Sequence, residues 1–120
     1  MQNVSSATIT LKLQQLFSLL QKGEIKLVLK ELAVLLSSVD DNADVMHLAA
    51  MAHKADGGVD KAISYFIKSL DINDSQPQVH NNLANTYKQN LELKLAEKHY
   101  KKALMLQPQY IEAAKNLGLL

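Results

Sequence analysis

Asparagine side chains are the residues of this chain whose type and spacing point to a chemistry. Asn82 and Asn116 lie 34 positions apart, and Asn81 and Asn85 stand close to the first of them. An asparagine side chain offers a carbonyl acceptor and an amide donor, so it can bind the backbone of an extended peptide without requiring a particular side chain. The pattern therefore indicates recognition by hydrogen bonding.

The sequence contains no recognisable catalytic or metal-binding pattern. It has no glycine-rich phosphate loop, no nucleophile elbow and no cysteine. The four histidines are scattered: His47 and His53 are six positions apart, which puts them on different faces of a helix, and His80 and His99 belong to different predicted helices. We therefore predict that the chain is not an enzyme and has no catalytic residue, no cofactor and no metal site.

The composition fits one domain and argues against several classes of partner. Hydrophobic residues make up 48% of the 120 residues and the formal net charge is +1. A packed core is expected, whereas broad electrostatic attraction to nucleic acid or to a membrane surface is not. Polar residues interrupt the first apolar stretch, which argues against a signal peptide, and no apolar run is long enough to span a bilayer. We expect a cytoplasmic protein without nucleic-acid or membrane partners.

The elements that must position the asparagines are helices. Apolar residues follow the helical period almost continuously from Thr10 onward, and no strand pattern is present. Breakers such as Asp56-Gly57-Gly58 and Pro108 divide this pattern into seven helices. The predicted organisation is a flexible tail at 1–8, three helical hairpins at 9–42, 43–76 and 77–110, and a last helix at 111–120. That last helix begins a fourth repeat or caps the stack.

A small–bulky–small pattern recurs in the second helix of each predicted hairpin. Small residues at fixed places indicate that another helix comes very close there, and the bulky residue between them fills space. The pattern is Ala96, Tyr100 and Ala103, preceded 34 positions earlier by Ala62, Phe66 and Ser69, and more weakly by Val28, Leu32 and Leu35.

A 34-residue helix–turn–helix unit with these residues resembles the tetratricopeptide repeat. The resemblance is clearest at 77–110 and covers about nine-tenths of the chain. It implies an all-α fold, an α-solenoid of stacked antiparallel helix hairpins in a right-handed superhelix. Departures are Val28 and Leu35 where the family prefers alanine, and Leu91 where glycine is usual.

The resemblance also implies where a partner would bind, because in this family the first helix of each pair lines the concave face. Asn82 and Asn116 occupy equivalent positions, which looks like the asparagine ladder in the repeats of O-linked N-acetylglucosamine transferases; the alternative is solvated surface asparagines. The family's carboxylate clamp is rejected, since Asn81 stands where lysine is expected and Glu112 opposes a carboxylate. The candidate groove residues are Phe17, His47, Leu48, Met51, Asn81, Asn82, Asn85, Lys115 and Asn116.

Three functions remain open from the sequence. The leading hypothesis is a scaffold that binds an extended peptide or a partner domain in the concave groove. The second is an N-terminal docking or regulatory module of a larger enzyme, such as a sulfotransferase or glycosyltransferase. The third is homo-oligomerisation, since the apolar end EAAKNLGLL reads as an uncapped half-repeat that either continues in a longer protein or pairs with a second copy.

Overall fold

The computed structural model describes residues 5–120, and it contains seven α-helices and no strand in that range. Consecutive helices pair as hairpins, α1 with α2, α3 with α4 and α5 with α6, and α7 packs on α6. The predicted all-α stack of hairpins is confirmed. The helices are α1 (Ser6–Gln21), α2 (Ile25–Ser38), α3 (Ala43–Ala55), α4 (Val59–Ile72), α5 (Pro77–Gln89), α6 (Leu93–Leu106) and α7 (Ile111–Gly118).

The first helix begins earlier than the sequence suggests. The Ser5 hydroxyl accepts a hydrogen bond from the backbone N–H of Thr8 at 3.2 Å, and this N-cap starts the helix at Ser6. The prediction of a tail is therefore wrong for residues 6–8, while residues 1–4 lie outside the described range. At the other end α7 stops at Gly118 rather than continuing to Leu120.

All three hairpins turn through the same backbone motif. Gly23 and Gly57 have φ of +81° and +85°, and Leu91, 34 positions further on, has φ of +62°. In each turn the next residue donates its N–H to a carbonyl five residues back, as Glu92 does to Tyr87 at 2.9 Å. This is the Schellman end of a helix, whose left-handed residue is normally glycine. Leu91 therefore occupies a position that favours glycine.

The small residues of the repeat lie where the helices of a hairpin meet. Ala62 and Ala96 are fully buried, and so are Ala50 and Ala84 on the partner helices. Contacts within the first hairpin are less close than within the other two. Leu16 of α1 and Val28 of α2 are buried where the later hairpins have alanine, and their larger side chains keep α1 and α2 further apart.

The core has an N-terminal and a C-terminal half. Leu16, Leu32 and Leu48 belong to the first half, and Phe66, Leu83 and Tyr100 to the second. Tyr65 packs against both. Because no hairpin buries its apolar face alone, each half of the core is built from consecutive hairpins. No helix within residues 5–120 has the length and apolar character needed to cross a membrane.

Candidate functional site

The first helices of the hairpins form one face, and two adjoining clefts of about 570 and 530 Å³ open on it. We call these two clefts together the groove. The groove is built by α1, α3 and α5, and four side chains line both of its clefts. The shared residues are Phe17, Gln21, His47 and Gln78.

One wall of the groove is apolar. Phe17 and Leu20 of α1 and Met51 of α3 line the second cleft. The ring of Phe17 also contacts His47, with 5.6 Å between ring centroids. Phe17 and Met51 hold the same position in consecutive repeats, 34 residues apart, so the helical hairpins themselves bring the two side chains to one wall. This wall can take an apolar side chain of a partner.

His47 and Asn82 connect the second and third hairpins at the floor of the groove. The Asn82 Nδ2 amide donates to Nε2 of His47 at 3.1 Å. Burial lowers the pKa of His47, and the nearby Asp44 opposes that effect. Nε2 of His47 therefore acts as the acceptor of a neutral ring. The Oδ1 atom of Asn82 accepts no side-chain or backbone hydrogen bond from residues 5–120, so it can accept one from a peptide N–H.

Asn85 and Asn116 form a second amide contact, between α5 and α7. Oδ1 of Asn85 accepts from Nδ2 of Asn116 at 3.1 Å and also from the hydroxyl of Tyr100. Both rungs of the supposed ladder, Asn82 and Asn116, thus donate their amide groups within the protein. Each contact uses one of the two N–H groups of the amide, so the second N–H group and the carbonyl oxygen of each asparagine have no partner among residues 5–120.

Two of the predicted groove residues are too deeply buried to touch a partner. Leu48 is 0% exposed and packs in the N-terminal core, because α1 covers its side chain. Asn81 is also 0% exposed; its Nδ2 donates to Oε1 of Glu112 at 3.3 Å, and its Oδ1 has no partner among the described residues. The prediction of these two as contact residues is wrong.

The predicted residues nearest the C-terminus do not share the groove. Asn85, Lys115 and Asn116 lie outside both clefts, and Lys115 is exposed on α7. The predicted set therefore separates into a groove part, Phe17, His47, Met51 and Asn82, and a part on α5 and α7.

Sequence reasoning missed Lys54 and the glutamines. Lys54 lies in the last turn of α3 and lines the second cleft, as do Gln21 and Gln78. The available signal was spacing, since Lys54 follows Met51 by three residues and so lies on the same helix face.

The sequence suggested that the histidines of α5 and α6 are scattered, but the structure brings them into contact. Nδ1 of His80 lies 3.0 Å from Nδ1 of His99, and the rings stack with centroids 5.2 Å apart. His80 is 2% exposed. This pair lies away from the groove.

A larger cleft of about 880 Å³ lies between α2 and the second hairpin. Four aliphatic residues of α2 and the Gly57-Gly58 turn are among its lining residues. Asn90 is the one amide side chain among the lining residues of this cleft, whereas several amide side chains line the groove. We therefore treat the groove as the candidate site.

Comparison with known proteins agrees with this geometry. The sequence model of the tetratricopeptide repeat family matches residues 77–110. No curated protein matches the chain in sequence.

Three solved structures illustrate the similarity. The type III secretion translocator chaperone SycD of Yersinia enterocolitica has a TM-score of 0.85 and 18% identity, covering 98% of this chain and 86% of that chain. PcrH in complex with the chaperone binding region of PopB has a TM-score of 0.82 and 17% identity, covering 100% of both chains. The first tetratricopeptide repeat domain of Spaghetti (RPAP3), bound to an HSP90 peptide, has a TM-score of 0.86 and 17% identity, covering 98% and 93%. Residues 77–110 are thus a tetratricopeptide repeat, and the described chain as a whole has the tetratricopeptide repeat fold.

Proposed function

We propose that this protein is a non-enzymatic scaffold that binds an extended peptide segment of a partner protein in the groove. The observation that carries the proposal is the groove itself, a pair of adjoining clefts with an apolar wall and amide side chains. The apolar wall of Phe17 and Met51 would bury a partner side chain. The free Oδ1 of Asn82 would accept a backbone N–H. The groove would thus recognise an extended peptide through one buried apolar side chain and through the backbone of that peptide.

The similar structures support the proposal by analogy. PcrH was solved with the chaperone binding regions of PopB and PopD, SycD with a peptide of YopD, and the RPAP3 domain with an HSP90 peptide. Those ligands belong to those proteins. What carries over to this chain is the expectation that its partner is a protein segment, because the fold presents the same type of surface.

Selection of displayed peptides tests the proposal. A library of random peptides would be panned against the full chain, against Met51→Arg, which places a charge on the apolar wall, and against Val34→Arg. Val34 is exposed on α2 and lines neither cleft of the groove, so it controls for the introduced charge. We expect enrichment on the unmodified chain and on Val34→Arg, and none on Met51→Arg. Equal enrichment on all three would overturn the proposal.

A homodimer is a second element of the proposal. Met105, Ile111 and Leu119 near the C-terminal end of the stack are 77%, 80% and 64% exposed. Exposed apolar side chains on and directly after the last two helices favour contact with a second copy. Light scattering of the unmodified chain and of Ile111→Glu would measure the mass; a monomer for both would contradict the dimer. The absence of nucleic-acid and membrane partners and the cytoplasmic location stay predictions.

A further inference from the structure

Lys54 is a cation at the edge of the groove without an ion-pair partner. It is half-buried in the last turn of α3, and no carboxylate of residues 5–120 forms a salt bridge with it. Burial lowers the pKa of its ammonium group, and the charge of Glu112 partly offsets this. Glu112 instead accepts a hydrogen bond from Asn81. An ammonium group that has lost part of its water shell without gaining a direct salt bridge is a site where an external anion would bind favourably.

The apolar wall lies directly beside this cation. Lys54 follows Met51 by three residues on one helix, which places their Cβ atoms about 5–6 Å apart. Phe17 and Leu20 complete the cleft on the α1 side. When a ligand residue places its side chain against Met51, the ligand residues close to it in sequence are within reach of the ammonium group of Lys54.

The charge on α3 is not uniform along the groove. Asp44 lines the first cleft in the first turn of the helix, ten residues before Lys54. At 1.5 Å per residue the two charged residues are separated by about 15 Å along the helix. Glu112 also acts on Lys54 but lines neither cleft, and Lys54 is the one lysine or arginine among the lining residues. A carboxylate within the groove is therefore repelled at the Asp44 end and favoured at the Lys54 end.

We infer that the groove recognises a partner segment in which an apolar residue and an aspartate or glutamate are two positions apart, with the apolar side chain on the Phe17–Met51 wall and the carboxylate on Lys54. In an extended chain, residues two apart lie on the same side and about 6.6 Å from each other. That spacing is close to the distance of about 5–6 Å between the Cβ atoms of Met51 and Lys54. The inference rests on the proposed function and names the sequence pattern that the site selects.

The experiment compares peptide selections on three forms of the full chain. The probe is a displayed library of random heptapeptides, and the three forms are the unmodified chain, Lys54→Glu and Lys94→Glu. Lys94 is exposed on α6 and lines neither cleft, so its variant matches the change in net charge. We expect the unmodified chain and Lys94→Glu to enrich an apolar residue two positions from an acidic one. On Lys54→Glu the acidic residue should disappear or be replaced by lysine or arginine.

The affinity of one enriched peptide provides a second readout. Lys54→Met keeps the aliphatic stem of the lysine and removes only its charge, and it should raise the dissociation constant roughly tenfold, as expected for a lost charge-assisted hydrogen bond. An unchanged constant would overturn the inference, and an unchanged circular dichroism spectrum would exclude misfolding as the cause of any loss.

The failure of this inference is distinguishable from failure of the proposed function. In one outcome the enriched peptides carry the apolar residue without an acidic one and still lose binding to Met51→Arg. That outcome would overturn the role of Lys54 and would still support the proposed scaffold function. Selection of no peptide, or of peptides indifferent to Met51→Arg, would overturn both.

Discussion

His80 and His99 face each other through their Nδ1 atoms at 3.0 Å, which joins α5 to α6 inside the third hairpin. Nε2 of His80 donates to the backbone oxygen of Asp74 at 2.9 Å. His80 therefore carries a proton on Nε2, and when its ring is neutral it accepts at Nδ1 from a proton on Nδ1 of His99.

The first prediction concerns the dependence of stability on pH. Burial, then the charges of His80 and Lys98, lower the pKa of His99 from 6.5 to about 4 in the folded chain, with Asp74 opposing and Lys102 reinforcing the shift. Since the unfolded chain binds this proton near pH 6.5, the contribution of the neutral ring to stability is complete above that pH. It declines as the pH falls from about 6.5 toward 4. Urea unfolding at pH 7.5, 5.5 and 4.5 measures the decline.

The matched variant for this measurement is His99→Asn. An asparagine amide can donate to Nδ1 of His80 from nearly the same place, but it does not titrate. We expect the variant to lose less stability than the unmodified chain between pH 7.5 and 4.5. Carboxylates elsewhere titrate equally in both proteins, so the difference isolates His99. An identical decline in both would contradict the prediction.

The second prediction concerns the turn between α5 and α6. Leu91 has φ of +62° and is 83% exposed. Its left-handed backbone conformation is unfavourable for a leucine, and no burial of the side chain offsets that strain. Leu91→Gly should raise the free energy of unfolding by about 1 kcal/mol, after allowing for the added freedom of the unfolded chain. Chemical denaturation measures the change.

Gly57 provides the reciprocal control. Its φ is +85°, and a Cβ added there would meet no atom within 4 Å. Gly57→Ala should therefore destabilise by about 1 kcal/mol through backbone strain alone. Destabilisation by Leu91→Gly would show that the leucine contributes contacts that its exposure does not reveal.

The fold was largely predictable because its rules are local and repeat every 34 residues. Ala62, Phe66, Ala96 and Tyr100 were recognised by spacing, and all four are fully buried. A residue that must fit between two helices has few alternatives in size. The resemblance to the tetratricopeptide repeat is confirmed by the family match at 77–110 and by the fold of the described chain.

The site was less predictable because its contacts join helices whose separation depends on packing. Leu48 and Asn82 hold equivalent positions, yet α1 covers the first and leaves the second half-exposed. The contacts of Asn82 with His47 and of His80 with His99 join residues 35 and 19 positions apart. No periodicity of the chain encodes which polar groups meet across these interfaces, so only the packed helices reveal the pairs.

The third prediction tests the close approach of α5 and α6. Ala96 is fully buried against α5, so Ala96→Leu should overpack the contact and cost on the order of 1–3 kcal/mol. Ala114→Leu makes the same change at an exposed position of α7 and should alter stability by less than about 0.5 kcal/mol. Thermal unfolding of both variants measures the difference. Equal melting temperatures would argue against helix contact through small residues.

The fourth prediction concerns the bond between Asn82 and His47. Asn82→Asp replaces the amide donor by a carboxylate beside a ring whose pKa is lowered by burial. The carboxylate stabilises the imidazolium form, so the pKa of His47 should rise above that of the unmodified chain. Proton NMR titration of the imidazole measures it.

Asn90→Asp is the control for this titration, because it adds the same charge at an exposed site that has no bond to His47. It should leave the titration of His47 unchanged. If Asn82→Asp has no more effect than Asn90→Asp, the two side chains are not bonded in solution. Asn82→Ala tests the same bond through stability: it leaves Nε2 of His47 without its donor, which should cost about 1–3 kcal/mol. Asn82 therefore supports the packing of α3 on α5. Its proposed contact with a ligand is tested by measuring the peptide affinity and the stability of Asn82→Ala together: a loss of affinity larger than the unfolded fraction explains supports the contact.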